Sequence, residues 1–491
     1  MSQEEVQLHD SLHNEDLAPT TPEQRTWTTY NYAALWIGMA HCIPTYTMAS
    51  TLIDKGFTWQ QAIFTILLAN TIVLMPMLMI SYIGTRYGLP FPVICRASFG
   101  TLGANVPAIL RALVACGWFG IQTWIGGKAL YNLLAATWPA LVHMPWMKGV
   151  CFMLFWALNM VIIWKGMNTV RWFEGWAAPA ILVVTLILLV YMVQRANGLG
   201  PILHQTGLYP TVGDYLRVVP PYLMAMIAFW ATMALNMPDF TRYAKDQRAQ
   251  IIGQAVGLPP TMTIFSAMGV IITSATVVVY GKAIWDPLDL LAKPEFGHPL
   301  VVLISLVSIA VATLSVNVAA NVVSPAFDFA NLWPAKIDFK IGGTITGLIG
   351  IAMCPWYLFE NSANYLFVWL DGYAIVLGPI AGIMICDFWV LRKRHLTVRQ
   401  LYLKGGMYHY SGGFNWAAIA ALALAALPNI PGFLLKLNVN LVPSAAWLFE
   451  GIYSFSWLVG FLLGLGLYGV FMLFLQRGQL TMEHNAAMEG A

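Results

Sequence analysis

The chain has 491 residues, of which 59% are hydrophobic and only 10% are charged. A soluble globular protein carries about 25% charged residues, so this chain has too little polar surface to cover a water-soluble body of its size. Composition therefore excludes a cytosolic enzyme, a nucleic-acid-binding protein and a disordered scaffold, and the net charge of +3 is too small to indicate a polyanionic partner. The sequence predicts a multi-pass membrane protein embedded in a lipid bilayer.

Apolar runs recur along most of the chain. A bilayer core about 30 Å thick takes roughly 20 apolar residues per helix, so the runs predict an all-α protein with about twelve transmembrane helices. Two runs, 105–138 and 298–331, are longer than a span needs, and we expect those helices to tilt or protrude. The runs begin near Trp27, Ala62, Val106, Lys148, Ala177, Tyr222, Ile251, Leu300, Ile341, Tyr365, Phe414 and Tyr453.

The distribution of Lys and Arg predicts the orientation, because these side chains are retained on the cytoplasmic side. An even number of spans places both termini on one side, and we expect both in the cytoplasm of a cell bounded by a plasma (inner) membrane. Residues 1–26 are polar and acid-rich, which is typical of a mobile tail and not of a signal peptide. On this topology 17 of the 25 cationic residues lie inside: Arg25, Arg86, Arg96, Arg111, Lys165, Arg171, Arg242, Lys245, Arg248, Lys336, Lys340, Arg392, Lys393, Arg394, Arg399, Lys404 and Arg477.

Two spans carry a helix-breaking proline at matching places. The first span contains GMAHCIP from Gly38, and the sixth contains ALNMPD from Ala234. A proline removes one backbone donor and clashes with the preceding turn, so carbonyls are freed at membrane depth. Ordinary proline kinks are the alternative, but two of them five spans apart favour the paired broken helices of a secondary transporter.

The third and eighth spans carry a second matched pair of polar positions. Trp118 and Gln122 are four residues apart in one, and Asn317 and Asn321 are four apart in the other, so each pair shares a helix face. An amide that faced lipid would be costly, so these amides point into the bundle. They either bind a ligand or form interhelical hydrogen bonds, and the second alternative is stronger for Asn317.

The side chains at these positions indicate what the ligand is. Amides both donate and accept, which matches the N–H and C=O edge of a cyclic imide, ureide or nucleobase. Trp118 and Trp230 offer faces on which a flat ring could stack. Neither a carboxylate nor an arginine occurs among these residues. The sequence therefore predicts a small, neutral, flat substrate.

With these residues in place, the chain resembles the bacterial branch of nucleobase–cation symporter family one, which includes allantoin, hydantoin, uracil and cytosine permeases. The resemblance covers residues 24–477. It rests on the motifs RTW from Arg25, RYGLPFPVICRASFG from Arg86, WFGIQTWIGG from Trp118, LNMPDFTRYAK from Leu235, AANVVSPAFDFANL from Ala319 and LGPIAGIMICDFWVLRKR from Leu377.

The resemblance implies a five-plus-five inverted repeat, with broken first and sixth helices, followed by two further helices. The expected division is a cytoplasmic N-terminal tail at 1–26, a first repeat at 27–200 and a second at 201–395. Spans 11 and 12 then occupy 396–476, and a cytoplasmic C-terminal tail occupies 477–491.

The resemblance also implies roles for the polar and aromatic residues. Trp118 and Trp230 would hold the substrate ring between them, and Gln122 and Asn321 would bond to its edge. Family members carry a further ligand-binding amide where this chain has Cys42. A thiol replaces an amide donor poorly, so the resemblance leaves the identity of the substrate open.

The implied cation site is altered. In sodium-coupled relatives it consists of three backbone carbonyls and two consecutive hydroxyls. Val316 supplies no oxygen here, so one ligand of a hard-cation site is missing, and coupling to a proton or no coupling become alternatives. His41 and Asp239 are candidate proton carriers, or else a histidine bonded to a nearby carbonyl and an aspartate at a solvated helix end. The matching positions are Gly38, His41, Ala312, Ser315 and Val316.

Other charges lie within or near the spans. Lys128 and Asp371 are both expected toward the outer side, where they could pair as an external gate. Arg111 is interpreted as an anchor at the inner interface.

Two aspartates near cytoplasmic helix ends are assigned packing roles. Asp328 has Lys336 available nearby in the sequence, and Asp387 has Arg392.

Together these features predict a secondary active transporter that imports a neutral N-heterocycle such as uracil, allantoin or hydantoin by alternating access. It would need a coupling cation, either proton or sodium, and no cofactor, and we expect a monomer. The alternative is a proton-coupled or uncoupled facilitator of a related purine or pyrimidine. More distant alternatives are an intramembrane enzyme, for which no HExxH motif or paired span aspartates occur, and a channel.

Overall fold

The computed structural model describes residues 12–138, 140, 144, 146–165, 182–183, 185–204, 206–284, 286–291, 299–360, 363–439 and 443–475. Most of these residues are helical. In chain order the helices are α1 (Thr29–Ala40), α2 (Ile43–Asp54), α3 (Trp59–Tyr87), α4 (Phe91–Phe99), α5 (Asn105–Thr137), α6 (Met147–Lys165), α7 (Thr185–Arg195), α8 (Leu199–Leu203), α9 (Val212–Phe229), α10 (Ala231–Asn236), α11 (Pro238–Thr241), α12 (Gln247–Tyr280), α13 (Pro287–Leu291), α14 (Pro299–Asn321), α15 (Val323–Leu332), α16 (Phe339–Ala352), α17 (Pro355–Glu360), α18 (Ala363–Ile385), α19 (Trp416–Ala426), α20 (Ile430–Lys436), α21 (Ala446–Tyr453) and α22 (Ser456–Leu475).

The helices confirm a polytopic all-α membrane protein. Within the described ranges, eight segments are long and apolar enough to cross a membrane, and α9 with α10–α11 forms a ninth that is bent by 41°. The first span consists of the two short helices α1 and α2, and α7 and α16 are shorter apolar helices at the fifth and ninth places. These twelve match the number expected from the sequence. The start of the fifth run, near Ala177, and the tail at 477–491 lie outside the described residues.

The first span is broken where the sequence indicates. Helix α1 ends at Ala40 and α2 begins at Ile43, so His41 and Cys42 lie between two helices. Cys42 has an extended backbone, with φ −134° and ψ 159°. Pro44 is the second residue of α2, a position where the missing N–H has no helical partner to lose. The proline therefore starts a new helix and does not kink a continuous one.

The sixth span bends earlier than expected. The sequence placed the break beside Pro238, but the 41° bend lies at Trp230, between α9 and α10. A second, milder interruption at Met237 precedes Pro238, which begins α11. The bend places Trp230 near the middle of the span, and its side chain lines a cavity there.

The two long runs behave differently from each other. Helix α5 is continuous over 33 residues, as expected. The run at 298–331 forms one span from Leu303 to Leu332, as expected, with a local irregularity where α14 ends at Asn321 and α15 begins at Val323. Val322, with φ −121° and ψ −45°, interrupts it. Asn321 is thus the last residue of a helix, next to a third break.

The segment before the first span is packed against the bundle, so the expectation of a mobile tail is wrong from residue 12 onward. The Leu12 carbonyl accepts a hydrogen bond from Arg96 at 2.8 Å, and the Asp16 carbonyl accepts one from Arg242 at 2.8 Å. The Asp16 carboxylate caps α16 by accepting from the Phe339 amide at 2.8 Å. These bonds connect the segment to both halves of the chain.

Helix α3 packs closely against the second half of the broken sixth span. A Cβ on Gly84 would lie 2.7 Å from both the Pro238 Cα and the Thr241 Oγ1, so only glycine allows this approach. The Thr241 hydroxyl donates to the Ser81 carbonyl at 3.0 Å in the same contact. Helix α3 therefore fixes the position of α11 relative to the rest of the bundle.

We expect Gly84→Val to lower the midpoint of thermal unfolding in detergent, since overpacking at such a contact costs about 1–3 kcal/mol. Gly466→Val in α22 is the matched control, because a Cβ there would meet nothing within 4 Å. Equal unfolding midpoints for the two variants would contradict the role assigned to this contact.

Candidate functional site

A small cavity lies where the interruptions of the first, sixth and eighth spans meet the third span. Its lining comes from four spans that are far apart in sequence. The lining residues are Met39, Cys42, Trp118, Gln122, Phe229, Trp230, Thr232, Met233, Val316, Ala320 and Asn321.

The cavity brings together all five residues that the sequence assigned to the substrate, and each is at most 7% exposed. Trp118 and Gln122 reach it from one face of α5, as their spacing predicts. Cys42, Trp230 and Asn321 reach it from the first break, the bend at the sixth span and the last turn of α14. Three of the five therefore lie at helix interruptions.

Aromatic rings form the walls of the cavity. The Trp118 and Phe229 rings meet edge to face, with centroids 5.4 Å apart, and the Phe229 and Trp230 rings do so at 4.9 Å. The Trp118 indole N–H donates to the Tyr373 hydroxyl at 3.3 Å, which in turn donates to the Ala228 carbonyl at 2.9 Å. These contacts hold the Trp118 ring in one orientation before any ligand arrives.

Two polar atoms on the lining are ready for a ligand. Within the described part of the chain, neither the Gln122 Oε1 nor the Trp230 indole N–H has a hydrogen-bond partner, and both are buried. The Cys42 thiol lies beside Gln122 and 3.3 Å from the Thr45 hydroxyl. A buried acceptor and a buried donor without partners are each costly unless a ligand satisfies them.

Asn317 forms interhelical hydrogen bonds, which was the stronger of the two alternatives for it. Its amide N–H groups donate to the Thr123 hydroxyl at 3.0 Å and to the Asn159 side-chain oxygen at 3.2 Å, on two other helices. The Asn317 side-chain oxygen accepts from Asn321 at 3.0 Å. Asn317 therefore positions Asn321 at the edge of the cavity.

Several residues of this site were not found from the sequence. Phe229, Thr232 and Met233 flank Trp230, and the bend at Trp230 turns them all toward the cavity. Helix breaks were predicted from prolines, and no proline adjoins Trp230, so this bend was not predicted. Tyr373 lies in α18, and its sequence context showed no polar pattern that would connect it to Trp118.

A second cavity lies on the other side of the first break and includes the implied cation site in part. His41 and Ala312 line it, and Cys42 borders both cavities. Val316 faces the substrate cavity instead. Gly38 and Ser315 are buried but line neither of the two.

The two candidate proton carriers have different surroundings. The His41 Nδ1 bonds to the Ile37 carbonyl, which is the structural alternative for this residue, while its Nε2 is buried without a partner among the described residues. Asp239 is fully buried, so the alternative of a solvated helix end is wrong. Its carboxylate accepts from the Phe91 amide at 2.8 Å and from the Asn236 amide at 3.2 Å.

Arg111 and Asp328 have surroundings that differ from those predicted. Arg111 is not an interface anchor, because it is 0% exposed and its Nη1 lies 3.7 Å from the Asp328 carboxylate. Asp328 thus faces Arg111, and Lys336 lies over the Trp333 ring. The ion-pair partner lies on another helix, which sequence proximity could not reveal.

The Asp387 prediction holds. Its carboxylate accepts from the Arg392 Nε at 2.8 Å, and both residues are buried.

The predicted Lys128–Asp371 gate is wrong. Lys128 instead donates to Asp286 and Asp289, each at 2.7 Å, in the connection between the seventh and eighth spans. Burial raises the pKa of the Asp286 carboxyl, and the Lys128 ammonium opposes that rise. We call this set of three charges the clasp. It ties α13 to α5 on the side opposite the N-terminus.

Broken helices that meet around a cavity of indoles and amides define the class of protein: a secondary transporter of the five-plus-five inverted-repeat type. Sequence similarity identifies the family. Residues 19–460 match the family described as permease for cytosine/purines, uracil, thiamine, allantoin, and the chain belongs to it.

Characterised relatives are similar over nearly the whole chain. The purine-uracil permease of Arabidopsis thaliana is 40% identical over 98% of this chain and 81% of its own length. The allantoin permease of Bacillus subtilis is 39% identical over 98% of this chain and 97% of its own. These relatives are permeases, so the chain is a transporter and not an enzyme.

A solved structure shares the fold. Mhp1, a nucleobase-cation-symport-1 family transporter in a closed conformation with bromovinylhydantoin bound, superimposes with a TM-score of 0.80 at 25% identity, over 97% of this chain and all of Mhp1. The inward-facing conformation of the same protein gives a TM-score of 0.77. This agreement confirms the fold expected from the motifs.

We expect Lys128→Met to loosen α13. A partly exposed ion pair contributes about 1 kcal/mol, so its loss should open α13 about fivefold more often. The reporter is a thiol at the buried position 288, introduced as Leu288→Cys, which should then react about fivefold faster with an impermeant maleimide when Lys128 is replaced. The exposed Cys354 is first replaced by serine. Lys282→Met, an exposed lysine in the same connection, is the control. Equal labelling rates in all three backgrounds would refute the clasp.

Proposed function

We propose that this protein imports a small, neutral, flat N-heterocycle, with Trp118 and Trp230 contacting the ring and Gln122 and Asn321 bonding to its edge. The lining of the cavity is the main observation that supports this proposal. Its walls are aromatic, and its free polar atoms, the Gln122 Oε1 and the Trp230 N–H, form one acceptor and one donor. A ring with an N–H next to a C=O satisfies both, and a charged amino acid would meet no counter-ion on the lining.

Cyclic ureides, imides and pyrimidines share this edge. Allantoin, hydantoin and uracil are therefore the substrates to test first, and the similarity to the Bacillus subtilis allantoin permease over almost its whole length supports the first of them. Cys42 narrows the choice, since its thiol offers a weak donor where an amide would give both a donor and an acceptor. The substrate should depend less on a polar contact at that side of the ring.

Import against the concentration gradient of the heterocycle requires a cation gradient, whereas an uncoupled facilitator would need none. The degenerate set of Gly38, His41, Ala312, Ser315 and Val316 supports a weak sodium site at most, because Val316 supplies no oxygen and faces the substrate cavity. A proton carried by His41 or Asp239 is the alternative coupling ion. Both side chains are buried: His41 bonds to the Ile37 carbonyl, and Asp239 lies beside the broken sixth span with both carboxylate oxygens hydrogen-bonded.

The membrane placement belongs to the same proposal. The Lys and Arg distribution supports cytoplasmic termini in a bacterial inner membrane, and the division into 27–200 and 201–395 follows the repeat of broken helices. A monomer is sufficient, because one chain supplies every residue of the cavity.

Trp118→Ala and Gln122→Ala should each reduce uptake of the radiolabelled substrate found among uracil, allantoin and hydantoin. Loss of a stacking indole costs about 1–3 kcal/mol, and loss of a buried hydrogen-bond partner costs a similar amount, so substrate affinity should fall about 10- to 100-fold in each variant.

Trp447→Ala is the control, since this tryptophan is 75% exposed. Normal uptake by both cavity variants would refute the binding face while leaving the fold intact. Failure of all three heterocycles, and of a wider panel of related rings, to accumulate would refute the substrate class.

Val316→Thr restores the second hydroxyl of the implied sodium site and should make uptake depend on external sodium. Uptake is measured with sodium replaced by choline, before and after the substitution. Val318→Thr, a buried valine two residues later on α14, is the control. No gain in sodium dependence would show that the missing hydroxyl does not weaken the site.

A further inference from the structure

A group of charged and polar side chains lies beside the substrate cavity, on the side nearer the termini. Asp239 comes from α11, Asp328 and Ser324 from α15, Arg111 from α5 and Asn236 from α10. Each is at most 1% exposed, and none of them lines the cavity itself. We call these five residues the buried polar cluster.

The two carboxylates of the cluster differ in their hydrogen bonds. Both Asp239 oxygens accept, from the Phe91 amide and from Asn236. In the described residues neither oxygen of Asp328 has a partner, although Arg111 Nη1 lies 3.7 Å away. Asp239 is thus arranged as an ionised carboxylate, whereas the carboxyl of Asp328 is buried without the donors that would stabilise its charge.

The same cluster has acceptors that lack a donor. The Asn236 side-chain oxygen and the Ser324 hydroxyl oxygen are both buried without partners within the described chain. Asn236 lies beside Asp328, and Ser324 precedes it by one helical turn on the same face of α15. A protonated Asp328 would supply an O–H to one of these acceptors, to which the Arg111 Nε and Nη1, themselves without hydrogen-bond partners among the described residues, do not donate.

Other titratable groups face the cluster as well. Arg242 approaches Asp239, and Cys95 and Cys116 lie near Asp328. The Arg242 guanidinium donates to the Asp16 carbonyl and the Tyr243 hydroxyl, so it does not reach Asp328 as a hydrogen-bond donor. Arg111 is therefore the cation that senses the charge on Asp328.

Arg111 also connects the cluster to the substrate cavity. Its Nη2 donates to the Ala320 carbonyl at 3.4 Å, and Ala320 and Asn321 both line the cavity. The guanidinium is shared between a carbonyl of the cavity wall and the carboxyl of Asp328. A change of charge on Asp328 must change this sharing, because an ionised carboxylate attracts the guanidinium more strongly than a neutral acid does.

We propose that Asp328 is the proton-binding site of this transporter and that Arg111 couples its protonation to the Ala320–Asn321 wall of the substrate cavity. The inference rests on the proposed function as a cation-coupled importer. One proton binds a carboxylate oxygen of Asp328 on the side from which substrate enters and is released on the other side. In the protonated state Arg111 holds the Ala320 carbonyl, and after release it pairs directly with Asp328.

The position of Arg111 selects a proton over a metal cation. A guanidinium 3.7 Å from the Asp328 oxygen repels a sodium ion, whereas a proton on that oxygen removes the charge and needs no further ligands. The cluster is thus distinct from the degenerate sodium set around Ser315 and Val316.

The test uses the full-length protein in sodium-free proteoliposomes with an imposed pH gradient, alkaline inside. Wild type should accumulate the radiolabelled heterocycle by about tenfold per pH unit, the limit for one proton per substrate. Asp328→Asn resembles the protonated acid. It should exchange labelled for unlabelled substrate at a near-normal rate, bind substrate with an affinity independent of pH, and accumulate none above equilibrium.

Asp371→Asn is the matched control. It removes another buried carboxyl in a span, one whose Oδ1 lacks a partner in the described ranges, and it should retain accumulation driven by the pH gradient. Asp328→Glu covers the case in which Asp328→Asn does not fold. It keeps a carboxyl at a new distance from Arg111, so accumulation should persist with a shifted pH midpoint.

Accumulation by Asp328→Asn, an unchanged midpoint in Asp328→Glu, or accumulation by wild type with a sodium gradient alone would each overturn the assignment of the proton to Asp328. None of these results would affect the proposed import of a heterocycle. That proposal fails on a separate observation, namely that wild type neither exchanges nor accumulates any of the heterocycles.

Discussion

The structure depends on one constraint, which is that every backbone N–H and C=O inside a bilayer must be satisfied within the protein. Most spans meet it with unbroken helices such as α5. The first, sixth and eighth spans are interrupted at His41–Cys42, Trp230 and Val322, and the backbone N–H and C=O groups of Trp230 and Val322 find partners within their own spans. The three interruptions lie around the cavity at the buried centre of the bundle. A binding site for a small molecule is the consequence of gathering these breaks in one place.

The surroundings of the cavity explain how such a site stays ordered without a ligand. Tyr373 holds the Trp118 indole, and Asn317, bonded to two other helices, holds Asn321. Tyr373 and Asn317 do not line the cavity, so they fix the orientations of the Trp118 and Asn321 side chains without filling it. The lining keeps an unpaired acceptor and an unpaired donor, and the cost of burying them is recovered when a ring with a complementary edge binds. The lining favours neutral cargo over charged cargo, since none of the described residues that line the cavity carries a charge.

Much of this could be read from the sequence, because the signals were local. Spacing of four residues placed Trp118 and Gln122 on one helix face, and the GMAHCIP run located the first break to within two residues. The sixth break was misplaced, since the bend lies at Trp230, which no proline adjoins. The partners of buried charges were the least predictable. Arg111 meets Asp328, and Lys128 meets Asp286 and Asp289, across separations in sequence that no local pattern encodes.

The amino-acid sequence alone determined that the protein lives in a membrane, and it predicted about twelve spans and a neutral, flat cargo. These properties follow from composition, which determines whether water or lipid surrounds the chain, and from periodicities of three to four residues, which determine which side chains share a helix face. Only the tertiary structure decided which helix faces meet and which charges pair. Such contacts depend on the approach of distant segments, as when Arg111 reaches both Asp328 and the Ala320 carbonyl. Their geometry is set by packing of the whole bundle, and no single stretch of the chain contains it.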